Sequence, residues 1–320
     1  MKKLKFIVSL HTQDNDFQVA QAAAAKEAAQ KHGVDAEISY ADNNAVDQST
    51  QLLKAIQNRP ELRPDAIVLE PVSGTALPQV ARAASAAGIG WVVLNRNPEY
   101  LPELHRTSKA PTFSVSSDHV EIGRIQGKQF AALLPRGGSV LYLEGPSQSS
   151  SAQKRTAGMM ESKPANIQII TLKGKWTEES GEQAVANWWK LATSQNKAID
   201  LVGAQDDAMA MGARRAFEKV PNEEDRTHWL GLPFIGCDGQ VKTGQAWVRQ
   251  GLLAATIYLP PLAGTAVEIL AKALRDGTRP PERTTTASHS IPDLGVLASR
   301  KSQAASPAAP LRPPSTLSKP

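Results

Sequence analysis

Short apolar runs alternate with longer segments of helix-forming sequence along most of the chain. The runs fall at 4–10, 36–40, 66–69, 91–94, 112–115, 139–143, 167–172, 199–202, 233–237 and 254–257. The stretch 66–69, AIVL, has no polar position at all. That suits a strand in a parallel sheet covered on both faces. Between the runs, 17–32, 48–57, 77–87, 119–134, 151–160, 178–191, 208–217, 243–249 and 262–274 predict helices. Gly33 and Gly88 stand just past two of these, and Asp47 can cap the helix that opens at 48. This rhythm predicts βαβ units with right-handed crossovers. It falters at 97–111, where Pro98, Pro102 and Pro111 fall, and a crossing between two lobes is expected just after them.

The polar residues that end these strands carry the functional signal. The stretch 201–213, LVGAQDDAMAMGA, is an apolar strand that ends in Asp206 and Asp207 with a helix directly behind. Asn95 and Arg96 follow 91–94, Asp238 follows 232–237, and Glu70 follows 66–69. Ligands of α/β sheets sit at the carboxyl ends of the strands. Carboxylates placed there are costly unless something polar bonds to them. Several such tips together describe a cleft that grips a small polar solute.

Composition narrows the alternatives. With 320 residues, 41% of them hydrophobic, the chain can fill two ordinary cores. Its formal charge of +5 comes from scattered basic residues, which gives no footprint for nucleic acid or an anionic membrane. One cysteine, Cys237, rules out an internal disulfide framework and reads as a small buried hydrophobe. Lys2 and Lys3 resemble the start of a secretory leader, but the apolar run that follows is too short for one. Residues 4–10 are therefore expected to be the first strand, with any export signal already removed. No stretch approaches membrane-spanning length. The last twenty residues hold five prolines and no acid, the composition of a flexible tail. There is no G-x-S-x-G, no H-E-x-x-H and no phosphate-binding glycine loop after the first strand, so neither an enzyme nor a cofactor is expected.

The order of several separated motifs resembles the periplasmic sugar-binding proteins of the ribose-binding type, whose core is shared with the effector domains of sugar-responsive repressors. QDNDFQ at 13–18 looks like that family's asparagine–aromatic loop, and Asn95-Arg96 occupies the place of its Asp-Arg pair. Asp118 and Gly123 match a V-x-x-D-x-x-x-x-G that follows the hinge. Gly145 with the R-x-x-G of 155–158, AQDDAMAMGA, GCDG at 236–239 and GLLAATIYLPP at 251–261 complete the series. The resemblance covers about residues 3–295. It implies two doubly wound parallel-sheet α/β lobes of the type I periplasmic binding protein kind, joined by a three-stranded hinge. Crossings are expected near 112–116, 256–260 and 284–292. The lobes would comprise 1–114 with 259–285 and 115–258 with 286–298, leaving 299–320 as tail.

Carried over motif by motif, the implied ligand residues are Asn15, Phe17, Gln18, Glu70, Asn95, Arg96, Arg155, Trp176, Asp206, Asp238 and Tyr258. Asp206, Asn95, Tyr258 and Glu70 each depart from the commonest residue of the family, which argues against ribose itself. Each position also has a plainer reading. Asp206 or Asp207 can merely cap a helix, Asp238 can start a turn, and Glu70 can end a strand in solvent. Phe17 can be core. Of Trp188 and Trp189 at least one is core, and Trp91 is packing. Arg96 and Arg155 suit adjacent hydroxyls, and Phe17 with Trp176 suits the apolar face of a sugar ring. The implied protein is a monomeric, extracytoplasmic solute-binding protein that delivers a neutral sugar or cyclic polyol to an ABC permease. Sensing of a sugar, or of a furanose-like signal, is the alternative.

Overall fold

The computed structural model describes residues 3–72, 74–191 and 198–304. Alternation along the strands explains why each sheet is covered on both faces. In β1 (Lys5–Leu10), Phe6, Val8 and Leu10 point into one core while Ile7 packs against another. The same alternation holds after α1 (Asp16–Lys31), β2 (Asp35–Tyr40) and α2 (Ala45–Gln57). In β3 (Ala66–Leu69), Ala66 and Val68 face the first core, and Ile67 and Leu69 the second. Beyond α3 (Pro78–Ala86), β4 (Gly90–Leu94) repeats the pattern with Val92 and Leu94 against Trp91 and Val93. Period-two alternation sends successive side chains to opposite faces, so a strand with no polar position needs helices on both sides. After α4 (Leu101–Thr107), β5 (Thr112–Ser117) completes this run of strands, and α5 (His119–Leu133) carries the chain into the second lobe.

That lobe contains β6 (Gly138–Glu144), α6 (Ser150–Ser162), β7 (Ile167–Lys173), α7 (Glu178–Trp189), β8 (Leu201–Ala204), α8 (Asp207–Glu218), α9 (Glu223–Leu230), β9 (Phe234–Ile235) and α10 (Gly244–Arg249). The chain returns through β10 (Thr256–Tyr258) to α11 (Leu262–Asp276) and β11 (Arg283–Thr286). It then crosses again in β12 (His289–Ile291) to end on α12 (Leu294–Ala304).

The first sheet has the order β11-β5-β4-β3-β1-β2 and the second β7-β6-β8-β9, with every pairing parallel. In both, strand order reverses beside the first strand of the lobe, and the crevice outside the carboxyl ends at such a point is where α/β sheets bind ligands. β10 and β12 pair antiparallel between the lobes. A small cluster of Phe17, Ile122, Ile125, Cys237, Ile257 and Leu259 packs where the lobes meet. Helices α5 and α6 touch backbone to backbone. A Cβ on Gly123 would lie 2.0 Å from the Arg155 carbonyl oxygen, and one on Gly158 2.0 Å from that of Val120. The two glycines therefore fix where α6 delivers Arg155.

Four expectations are corrected. The proline-rich stretch 97–111 contains α4, because Pro102 occupies the first turn, where its missing N–H costs nothing. Asn44, not Asp47, caps α2, accepting from Val46 N at 2.9 Å. Asp207 does not cap α8; Asp206 does. Residues 299–304, expected to belong to the tail, lie in α12; residues 305–320 lie outside the described residues. Trp91 is fully buried and donates to the Tyr100 hydroxyl at 3.1 Å. Trp188 and Trp189 both pack edge-on against Trp229, at 5.8 and 5.3 Å.

Candidate functional site

Loops at the carboxyl ends of both sheets enclose a cavity of about 170 Å³. Ten of the eleven predicted ligand residues line it: Asn15, Phe17, Gln18, Glu70, Asn95, Arg96, Arg155, Trp176, Asp206 and Asp238. Tyr258 is not brought there. On the crossing strand β10 its ring tilts against His289, 5.3 Å away, and its backbone bridges to Asp238. Extended backbone sends that side chain toward β12 rather than into the cleft.

From the first lobe, Asn15 caps α1, its Oδ1 accepting from Phe17 N at 3.0 Å and Gln18 N at 3.2 Å. Gln18 in turn accepts from His11 N at 3.0 Å. Phe17 satisfies both of its readings, since it belongs to the inter-lobe cluster and also lines the cavity. Glu70 is buried, with one oxygen accepting from Gln21 Nε2 at 3.0 Å and the other from Asn95 Nδ2 at 2.7 Å. It is therefore no solvated strand end, and it fixes the Asn95 amide with Oδ1 unpaired. Arg96 donates from Nη1 to the Asn95 carbonyl at 3.1 Å and across the cleft to Ser151 Oγ at 2.6 Å. Burial lowers its pKa; Glu70 opposes that and Arg155 adds to it.

From the second lobe, Arg155 donates from Nη1 to the Gln205 carbonyl, and its guanidinium lies over the Trp176 ring, 5.5 Å from the centroid. The Trp176 indole lies so close to Gly145 that a Cβ there would fall 2.1 Å from Cζ2. Asn15 Nδ2 reaches the Trp176 carbonyl at 3.4 Å, a second bond between the lobes. Asp206 caps α8 by accepting from Met209 N at 2.7 Å, and burial pushes its carboxyl up to about 6. The Asp238 carboxyl makes no hydrogen bond among the described residues. Its pKa is raised well above the ordinary value, first by burial and then by Asp206, against the pull of Arg155. Asp207 points away from this cavity. It accepts from Thr256 Oγ1 at 2.6 Å and Gly239 N at 2.8 Å, tying the start of α8 to the loop after β9 and to β10.

The cavity also gathers His11, Thr12, Asn43, His119, Ser149, Ser151, Lys175 and Thr177, which sequence reasoning missed. Ser149 and His119 stand at helix starts, where polar residues need no functional reason. His11 Nε2 donates to the Pro71 carbonyl at 2.8 Å, and burial lowers its pKa. Three lining acids, Glu70, Asp206 and Asp238, face three lining bases, Arg96, Arg155 and Lys175. The unpaired buried atoms among the described residues concentrate here: Asn95 Oδ1, Arg96 Nε, Arg155 Nε and both His119 nitrogens. Buried polar groups are normally paired, so this wall is built to meet a polar solute. No group of three or more His, Cys, Asp or Glu side chains among the described residues is arranged to hold a metal ion.

A fold with two such lobes and a polar cleft between them defines a class of binding protein. Residues 6–278 match the periplasmic binding protein domain family, and the chain belongs to it. It is 28% identical over 198 residues to a putative rhizopine-binding protein of Rhizobium meliloti, a match that spans 60% of each protein. It is 26% identical over 280 residues to the galactofuranose-binding protein YtfQ of Escherichia coli, covering 86% of this chain and 83% of that one. Among solved structures, an ABC transporter periplasmic solute binding protein from Actinobacillus succinogenes with bound D-allose superposes with a TM-score of 0.77. That comparison covers 93% of this chain and all of the other at 20% identity, which shows the shared fold.

Proposed function

We propose that this chain is an extracytoplasmic solute-binding protein that closes on a neutral sugar or cyclic polyol and presents the closed form to an ABC permease. The observation that carries this reading is the wall of unpaired donors and acceptors, contributed by both lobes, beside two aromatic rings. Arg96 and Arg155 donate to solute hydroxyls, while Asp206, Asp238 and Asn95 Oδ1 accept from them. Phe17 and Trp176 cover an apolar C–H face. Asn15 and Gln18 shape the floor, and Glu70 acts by holding Asn95. The lobes in this proposal are 1–114 with 259–285 and 115–258 with 286–298. The solute-binding relatives and the lining residues support a binder rather than an enzyme, and the proposal takes it as a monomer. Three acidic side chains line the cleft beside three basic ones, so an anionic solute shares the site with Glu70 and competes with Asp206 and Asp238 for the guanidinium groups, and burying it unpaired is expensive. A thermal-shift screen of monosaccharides, inositols and sugar acids, followed by calorimetry, tests the reading. A neutral compound is expected to bind more tightly than its uronate; tighter binding of the acid, or no shift with any sugar or polyol, overturns it.

A further inference from the structure

His119 opens α5 and is only 6% exposed, yet it lines the cavity. Neither of its ring nitrogens has a hydrogen-bond partner among the described residues. The Asn95 carbonyl approaches the ring without hydrogen-bond geometry and already accepts from Arg96 Nη1 at 3.1 Å. Arg96 Nε, Arg155 Nε and Asn95 Oδ1 in the same wall are unpaired as well.

The chemistry of these groups is unequal. A guanidinium only donates. A solute hydroxyl that accepts from Arg96 or Arg155 must still give its own proton to something. Beside Arg96, both oxygens of Glu70 are engaged, by Gln21 and Asn95. Asn95 cannot turn over, because its Nδ2 is committed to Glu70, so Oδ1 stays an acceptor. Asp206 and Asp238 stand with Arg155, so beside Arg96 the acceptors still open are Asn95 Oδ1 and the imidazole. Burial and the charges of Arg155, Arg96 and Lys154 oppose its protonation, against a smaller pull from the Asn95 carbonyl. A neutral imidazole has one donor and one acceptor nitrogen. A half-turn of the ring exchanges nitrogens with carbons inside the same outline, so the edge that faces the cavity can present nitrogen.

We infer that His119 contacts the solute directly, as the neutral acceptor that completes the hydroxyl pairing begun by Arg96 and Arg155, and that it thereby selects a hydroxyl over a carboxylate at that position. The inference rests on the sugar- or polyol-binding reading above. An ionised carboxylate satisfies the guanidinium donors but has no proton to give, and it leaves Asn95 Oδ1 and the imidazole lone pair stranded.

The tightest binder among D-ribose, D-allose, D-galactose and myo-inositol is titrated calorimetrically alongside D-galacturonate, using wild type, His119→Phe and His119→Asn. His119→Phe is expected to bind the neutral compound at least about tenfold more weakly and to narrow its preference over galacturonate. His119→Asn, which keeps a donor and an acceptor, recovers part of both. Wild-type protein labelled with 15N-histidine supplies a readout that needs no variant affinity. The His119 ring resonances, assigned by their absence from either variant, should move on addition of the neutral compound. Affinity within twofold of wild type in folded His119→Phe, or ring resonances that stay in place at saturation, overturns the inference alone. Wild-type protein that binds none of the four neutral compounds overturns the underlying reading with it.

Discussion

Asp206 shows one side chain doing two jobs. Its Oδ1 caps α8 through Met209 N, which leaves the rest of the carboxylate for the cleft. Asp206→Asn keeps a capping oxygen and loses an acceptor, so solute affinity should fall by about 1–3 kcal/mol with little change in melting temperature. Asp238→Ala should cost a similar amount of affinity by stranding a solute hydroxyl. Calorimetry decides both, and unchanged affinity removes that residue from the site. Trp176 is the other residue whose role can be read directly. Its indole lies between Gly145 and the Arg155 guanidinium at the cavity wall. Solute should exclude water from it and change the intrinsic fluorescence. Trp176→Phe should abolish that change, and a signal that survives in the variant would belong to another tryptophan.

At the level of elements, the start of α8 is held by an acid with no place in the cavity. Asp207 accepts from Thr256 Oγ1 and Gly239 N in a dry site, and burial pushes its carboxyl from 3.8 up to about 8. Across that window the folded chain holds a proton that the unfolded chain has released, so stability falls as pH rises from about 4 to about 8. Asp207→Asn, neutral at every pH and able to bond both partners, should flatten the slope. It should also exceed the wild type in stability above pH 8 by at least about 1 kcal/mol. Thermal melts from pH 5 to 9 measure this, and parallel curves for the two proteins would show that Asp207 is already ionised in the fold. The helices and strands around it were legible in sequence because their apolar periods are strong. Helix α4 was not, because its prolines masked a first turn that tolerates one.

In the whole molecule the two lobes are in contact across the cleft. Arg96 reaches Ser151, and Asn15 reaches the Trp176 carbonyl. Both bonds span the cleft, so they favour this arrangement of the lobes together with whatever the solute contributes. Ser151→Ala should shift the solute-free protein toward a more open form, seen as a larger radius of gyration in solution scattering. It should also weaken binding by about 0.5–1.5 kcal/mol. A radius identical to wild type without solute would mean that this bond does not bias the hinge.

Local sequence was enough to determine the βα rhythm, the two cores and the polar strand tips, because each depends on neighbours within a few residues or on the faces of a single strand. It also placed Arg96, Asp206 and Asp238 at tips where a parallel sheet exposes them, while Asn15 came from the family resemblance. Only the folded pair of lobes decided which tips share one cavity. Tyr258 was lost because an antiparallel pairing between distant strands turned it toward His289. Glu70 lines the cavity and is also bonded by Gln21 and Asn95, which reach it from separate elements. His119 and Ser151 had no signal of their own. Their meaning comes from the approach of Arg96 and Arg155 across a cleft, and that approach is set by chain closure over long sequence separations rather than by any local pattern.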